Sequence, residues 1–391
     1  MIENSGRILI YKEIDREEWR RLVASSKTGT WFQGPEAYAF LASMPELFRP
    51  FVLGVASLQL PPKGKRAEHH PSLQERTEDR LILRGVCVGY VTVEKSAVKQ
   101  YFTRRAIILG GPVIANDASS EEVKLLMMAV RNQMMNERSQ ASSMLRKRSL
   151  LNDGPIYIET RNFNDYSKWK DAFERAGFEY KKHLNFHVDC RDKEAMWERL
   201  SENRCRQVRK SDATTMMIDK MSAVEPLNDE AQIREWYEIL RELYRTKVKT
   251  PLWPVEFFLE AYRQGVGKFL LVKYENKVIG GSMVVNDGMM ECWNDRPGAV
   301  YEWFECGRNA EYKEQYPSVM ATWAGIQWAQ ETGCARYDMM GAGEPGVPYG
   351  VRDFKSEFGG EMVEHGRFMC VCHPVLYKIG AIVVKIMKKF A

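Results

Sequence analysis

No apolar stretch in the C-terminal part of this chain approaches a membrane span: the longest, Ile379 to Val384, falls far short of the roughly 20 residues a transmembrane helix needs. Met1 is followed by Ile2-Glu3-Asn4-Ser5 rather than a basic patch and an apolar stretch, so no secretory signal is expected and the product is expected in the cytoplasm. The eight cysteines, at 87, 190, 205, 292, 306, 334, 370 and 372, contain no Cys-x-x-Cys pair, which disfavours a disulfide framework or zinc site and fits reduced thiols. There is no G-x-S-x-G elbow and no Walker loop, which argues against an α/β-hydrolase and a P-loop nucleotide hydrolase. His183 and His187 form H-x-x-x-H, but Lys182 to Val188 reads as a strand, where residues four apart lie roughly 13 Å from each other and share no zinc. A large charge excess is missing too: the net charge of +5 suits an anionic partner without demanding one.

What is present is the material of two folded domains. The 391 residues exceed what one core usually organises, and 45% hydrophobic with 28% charged residues is ordinary for a globular protein. Periodicity predicts strands at Arg7 to Tyr11, Phe51 to Val55, Leu81 to Val93 and Arg105 to Ile108, with a helix at Glu17 to Ser26. Leu60 to Arg80, rich in proline and charge, reads as a long exposed loop, and Ser120 to about Arg138 as a helix whose methionines pack a core. Strand, helix and strand follow at Ile156 to Glu159, Tyr166 to Ala176 and Tyr180 to Val188. The second half offers a helix at Asp192 to Lys210, a strand at Thr214 to Asp219, helices at Glu230 to Thr246 and Val255 to Gln264, and hairpins over Phe269 to Trp293. A helix at Ser318 to Glu331 leads into a strand at Arg336 to Met340, and an apolar strand runs from Glu361 to Val371.

The halves echo each other. Ile156-Tyr157-Ile158-Glu159 precedes Phe173-Glu174-Arg175-Ala176-Gly177-Phe178 at the same offset by which Tyr337-Asp338-Met339-Met340 precedes Phe354-Lys355-Ser356-Glu357-Phe358-Gly359. Each stretch follows a long helix and runs into an apolar strand, as degenerate copies of one unit would.

The specific signal is the run from Gly341-Ala342-Gly343 through Tyr349-Gly350-Val351-Arg352-Asp353-Phe354-Lys355-Ser356-Glu357-Phe358-Gly359-Gly360-Glu361. It resembles the signature of the Fem family of aminoacyl transferases, in which a strand bearing Tyr-Asp leads through a glycine-rich loop to Phe-Lys-x-x-Phe-Gly-Gly-Glu. Phe32-Gln33-Gly34-Pro35-Glu36, Gly110-Gly111-Pro112-Val113 and Asn203-Arg204-Cys205-Arg206-Gln207-Val208-Arg209-Lys210 are similar to further family segments and occur in family order. The resemblance implies an α/β fold of two tandem acetyltransferase-like (GNAT) domains with mixed sheets flanked by helices, expected here at 1–191 and 192–372, followed by a C-terminal helix at 373–391. It implies an enzyme that transfers an amino acid to a peptidoglycan precursor, with no tightly bound cofactor and with aminoacyl-tRNA or acyl-CoA as co-substrate.

The residues of the motif carry a chemistry of their own. Glycines after a strand let backbone approach a ligand, and a lysine fixed beyond them can neutralise a phosphate or the oxyanion formed when an amine attacks an ester, so Lys355 is the first candidate. Asp338 is a candidate base, with a competing role of holding the glycine loop through backbone hydrogen bonds. Phe354, Tyr316, Tyr337, Gly341, Gly343, Tyr349 and Arg352 are candidate substrate-binding residues. Gly341 to Gly346 also satisfies G-x-G-x-x-G, but Pro345 and Pro348 prevent the glycines from opening a helix directly, which speaks against a dinucleotide fingerprint.

Two further partners and two departures remain. Basic clusters at Arg146-Lys147-Arg148 and Arg204-Arg206-Arg209-Lys210 suit a tRNA acceptor end or a solvated helix face. Lys378, Lys385, Lys388 and Lys389 share one arc of a C-terminal helix, and Ile379, Val383, Ile386 and Phe390 occupy much of the rest, which suits an anionic membrane surface or packing on the domain. The lysine and arginine that in the Fem family grip the precursor diphosphate have no counterpart in Tyr38-Ala39-Phe40-Leu41 or Thr250-Pro251-Leu252-Trp253-Pro254, and Pro251 and Pro254 break any long helical arm. Three hypotheses therefore stand: transfer from aminoacyl-tRNA to a cell-wall precursor amine, acyl-CoA-dependent N-acylation of an envelope sugar, lipid or amino acid, and a scaffold without catalysis.

Overall fold

The computed structural model describes residues 8–58, 81–94, 103–144, 154–212, 216–220, 226–287 and 298–390; the loop expected at 60–80 and the basic cluster at 146–148 lie outside them. The chain divides into two units, Met1–Lys181 with Arg367–Ala381, and Lys182–Gly366 with Ile382–Ala391.

The first run comprises β1 (Ile8–Tyr11), α1 (Arg16–Ser25), α2 (Pro35–Ala42), β2 (Phe48–Leu58), β3 (Leu81–Thr92), β4 (Ala106–Gly110), β5 (Val113–Ile114), α3 (Ser120–Met144), β6 (Tyr157–Asn162), α4 (Lys170–Arg175) and β7 (Glu179–Lys181). Asp15 starts α1 by accepting the N–H groups of Glu17 and Glu18, two of the donors a helix start leaves unpaired, and the helix turns Trp19, Leu22 and Val23 inward. β4 and β6 are parallel, which demands a crossover, and α3 supplies it. Met127 and Met134 on α3 are buried in the core beside Phe173 and Ile158.

The second run comprises β8 (Leu184–Asp189), α5 (Lys193–Glu198), α6 (Glu202–Asp212), β9 (Met216–Lys220), α7 (Pro226–Leu243), α8 (Val255–Arg263), β10 (Lys268–Tyr274), β11 (Lys277–Asn286), β12 (Ala299–Gly307), α9 (Pro317–Glu331), β13 (Arg336–Gly341), α10 (Gly350–Ser356) and β14 (Glu361–Glu364), before β15 (Arg367–Val371) and α11 (Pro374–Phe390) end the chain. The helix expected over 192–210 is broken between α5 and α6, where the Ser201 hydroxyl accepts the Arg204 N–H at 3.1 Å and starts a new helix. β12 escaped the sequence reading because Glu302 and Glu305 interrupt its apolar pattern.

Both sheets are mixed. The first runs β1-β2-β3-β4-β6-β15-β7 with β5 on β3, and the second runs β14-β8-β13-β12-β11-β10-β9. The strands expected over 180–188 and 361–371 are each two strands, one in each sheet: β7 pairs β15 while β8 pairs β13 and β14. Gly366 makes the second break possible, with a left-handed φ of 64° and an N–H donated to His183 O at 3.1 Å. The domain limits expected at 191 and 372 thus lie beyond the two breaks. The internal echo is visible as β6-α4-β7 and β13-α10-β14, with glycines of positive φ, Gly177 (91°) and Gly359 (72°), after the short helices. Among the described residues no helix is long and apolar enough to cross a membrane.

Candidate active site

The site begins with two strands that stop pairing. β12 and β13 are parallel neighbours, yet only Ala299, Val300 and Tyr301 find partners, in Arg336, Tyr337 and Asp338, although both strands continue. Beyond that last rung each strand carries an irregularity. On β12, Val284 faces Glu302 while Met283 faces Phe304, so Trp303 is an extra residue, and this bulge puts Glu302 and Glu305 on the same face. On β13, Met340 takes a left-handed φ of 58°, strained for a residue with a Cβ.

Two charged side chains hold that bend. Lys355 reaches from α10, and its buried ammonium, in a residue only 8% exposed, donates to Met339 O and, at 2.9 Å, to Gly341 O. These are carbonyls that β12 no longer pairs. Asp338 accepts the Met340 N–H at 2.7 Å through Oδ1, and its Oδ2 lies 3.1 Å from His187 Nε2. Burial alone raises the Asp338 pKa, but His187, Arg336 and the Met340 N–H outweigh it and hold the carboxyl below its ordinary range. Burial depresses the Lys355 pKa, and Glu302, Asp338 and Glu305 oppose that depression.

The opposite wall of the gap is acidic. Glu302 Oε1 accepts the hydroxyls of Tyr337 at 2.9 Å and Thr322 at 2.8 Å, and burial raises its pKa while Lys355 pulls it down. Glu305 is pushed up to about 8 by burial and by Glu302 beside it. Tyr337 is fully buried, its ring lying where a Cβ on Gly325 of α9 would meet the hydroxyl at 2.3 Å.

The other sequence candidates divide by role. Arg352 clamps the glycine loop from inside, donating to Ala342 O and Val347 O, each at 3.0 Å, and to Glu344 O. Tyr349 is exposed beside Gly343, whose φ of 78° only glycine adopts easily. Phe354 packs 5.3 Å from Phe358 with the Arg204 guanidinium 4.5 Å above it. Tyr316 caps α9 in a left-handed conformation, and no contact among the described residues brings it to Lys355. Lys355, Asp338, Tyr337 and Gly341 therefore converge, whereas Arg352, Gly343 and Tyr349 shape the loop. Of the basic α6 cluster, Arg204 is buried, Arg209 lies 5.2 Å over Trp197 and Lys210 pairs with Glu314. Glu302, Glu305 and His187 were not foreseen as site residues; two acids three apart in the aromatic run Val300 to Cys306 were the available signal.

The sequence model of the FemAB family matches residues 297–385, the stretch that holds β12, α9, β13 and α10. No curated protein matches the chain in sequence. The fold is similar to the crystal structure of FemX, with a TM-score of 0.59, 10% identity, and coverage of 95% of this chain and 99% of that one. It is also similar to a tandem GNAT protein from the clavulanic acid biosynthesis pathway, with a TM-score of 0.51, 10% identity, and coverage of 94% and 99%.

Proposed function

We propose that this chain, a FemAB-type family member, is an aminoacyl transferase that moves an amino acid from aminoacyl-tRNA to the amine of a peptidoglycan precursor peptide. The observation that carries the reading is the buried Lys355 ammonium at the mouth where β12 and β13 part. When an amine attacks an ester, the carbonyl oxygen becomes an oxyanion, and a cation already fixed and desolvated stabilises it without reorganisation. Lys355 has spent two of its three donors on Met339 O and Gly341 O, which aims the ammonium and leaves one N–H for substrate. Asp338, being fully buried, serves by holding Met340 and the strand end, not by touching the amine.

A second feature favours an aminoacyl ester over an acyl-CoA. Coenzyme A brings a diphosphate, and helix starts bind such groups through unpaired N–H groups. At the start of α9, Pro317 has no N–H and the Ser318 N–H is already donated to Asn309 Oδ1 at 3.2 Å. Glu305 lies beside Ser318 and would face the diphosphate with a carboxyl group. Arg206 and Arg209 on α6 are exposed and supply cations for the nucleic acid. On α11, Val375, Ile379 and Ile382 are exposed at helical spacing, and Lys378 is exposed beside them, which supports peripheral contact with an anionic membrane at the cytoplasmic face.

The test is binding. Charged tRNA is expected to bind with an affinity that falls steeply with salt, and acyl-CoA to leave the melting temperature unchanged. A melting shift with acyl-CoA and none with tRNA would reverse the donor assignment.

A further inference from the structure

One titratable group at the mouth takes no part in the transfer step as described so far. Glu305 lies on β12 four residues past the last rung with β13, on the side of the strand that Glu302 also occupies because Trp303 bulges out. Lys355 grips β13 from α10, one and three residues past the same rung, so the two side chains border one gap, one on β12 and the other bound to β13. The groups facing Glu305 are few: Glu302 on its own strand, Ser318 on α9, and Lys355 from α10. Oε1 is buried with no hydrogen-bond partner, and the residue as a whole is half-buried. Glu302 differs in kind. Both Tyr337 and Thr322 hydroxyls bond its Oε1, so it is built into the core. An acceptor atom that meets no donor in the free protein costs stability, and it is retained at the edge of a gap whose chemistry requires a proton to move.

We propose that Glu305 carries the proton that crosses the site during transfer: its carboxylate takes a proton from the attacking nitrogen as the C–N bond forms, and its carboxylic acid returns it to the ribose oxygen as the C–O bond breaks. The balance closes without any co-reactant. A neutral amine and an ester go in, an amide and a tRNA hydroxyl come out, and Lys355 holds the oxyanion between them. The proposal rests on the aminoacyl-transfer reading. The upward displacement of the Glu305 pKa to about 8 supports it, because a proton carrier works best when both its forms are populated at the operating pH.

The experiment compares two nucleophiles. Wild type and Glu305→Gln are given bulk tRNA charged with radiolabelled amino acids, and either a lysine-containing peptidoglycan precursor or hydroxylamine, which is neutral near pH 7 and whose weakly basic nitrogen, once bonded to carbon, is acidic enough to pass its proton to the ribose oxygen without a carrier. Both rates are corrected for the uncatalysed reaction. The expected result is that E305Q loses about 10²–10⁴-fold in transfer to the precursor amine while transfer to hydroxylamine stays within a few fold of wild type. Retained hydroxylamine transfer also shows that the variant folds and binds its donor. Equal loss with both nucleophiles makes Glu305 a structural residue and overturns the proposal, as does full retention of both. Wild-type protein inert toward both nucleophiles overturns the aminoacyl-transfer reading itself, and Glu305 falls with it.

Discussion

The two units each place a parallel strand pair at the centre of a mixed sheet, and they treat it in opposite ways. β4 and β6 stay paired from Ala106↔Ile158 to Gly110↔Asn162, the last residue of both strands, whereas β12 and β13 separate after Tyr301↔Asp338. The strand sequences explain the difference. β4 is Ala106-Ile107-Ile108-Leu109-Gly110, without a charge, and β12 carries Glu302 and Glu305 on either side of a bulge. Carbonyls at a strand end need donors in both units. In the first, neutral groups do it: Gln33 Nε2 donates to Gly110 O at 3.0 Å and Gly111 O at 2.8 Å, and the Tyr166 hydroxyl lies 2.7 Å from Gly110 O. In the second, an ammonium does it. A buried cation beside a gap costs more than a buried amide, and the transfer proposed at Lys355 gives a reason for its retention in one unit.

The sharpest way to break that contrast is Lys355→Ala, which is expected to lower transfer by about 10²–10³-fold, the loss typical for an oxyanion donor. A scaffold without catalysis would lose nothing in this assay. The matching change in the first unit, Gln33→Ala, removes a buried clip and takes the side-chain donor from Gly111 O while Tyr166 still serves Gly110 O, so thermal or urea unfolding should register about 1–3 kcal/mol of destabilisation. Transfer by the folded fraction should change less than about threefold, since no charge at the gap is touched.

The units should also part company in acid and base. Burial opposes ionisation of Glu159, but Arg161 and Arg367 overcome it and lower its pKa to about 2. A depressed carboxyl stabilises the fold above its unfolded value near 4.5, and that contribution, about 3 kcal/mol at most, is lost as pH falls toward 2. Glu305 has the opposite sign: raised to about 8, it weakens the fold progressively as pH climbs from 4.5 to 8. Calorimetry across pH should find E159Q less stable than wild type near pH 7 and E305Q more stable at pH 8. The smallest expected effect lies outside the contrast: Lys378→Glu should weaken binding to vesicles containing phosphatidylglycerol by about 1–2 kcal/mol, read by sedimentation at low salt.

How far the sequence foretold these features depended on whether a residue's role was local. The glycine loop, the short helix and Lys355 follow one another along the chain, and position 355 was legible because the motif is contiguous. The strand breaks at 182–183 and 365–366 were not, because an apolar run looks alike whether it stays in one sheet or passes between two. Glu302 and Glu305 were missed since a bulge, not period-two alternation, sets their common face. Arg352 was read as a binding group because its charge is visible in sequence, while the three carbonyls that occupy it are not. Gln33 and Gly110 were seen as family landmarks, but their mutual hydrogen bond spans the first unit and no local pattern announces it.

The most direct trial of the account is the mass of a peptidoglycan precursor peptide after incubation with the protein and charged tRNA, in parallel with acyl-CoA. The account predicts a gain of one aminoacyl residue on the precursor amine in the tRNA reaction alone, with uncharged tRNA released in equal amount. An unchanged precursor beside tRNA, with acylation from acyl-CoA, would contradict it.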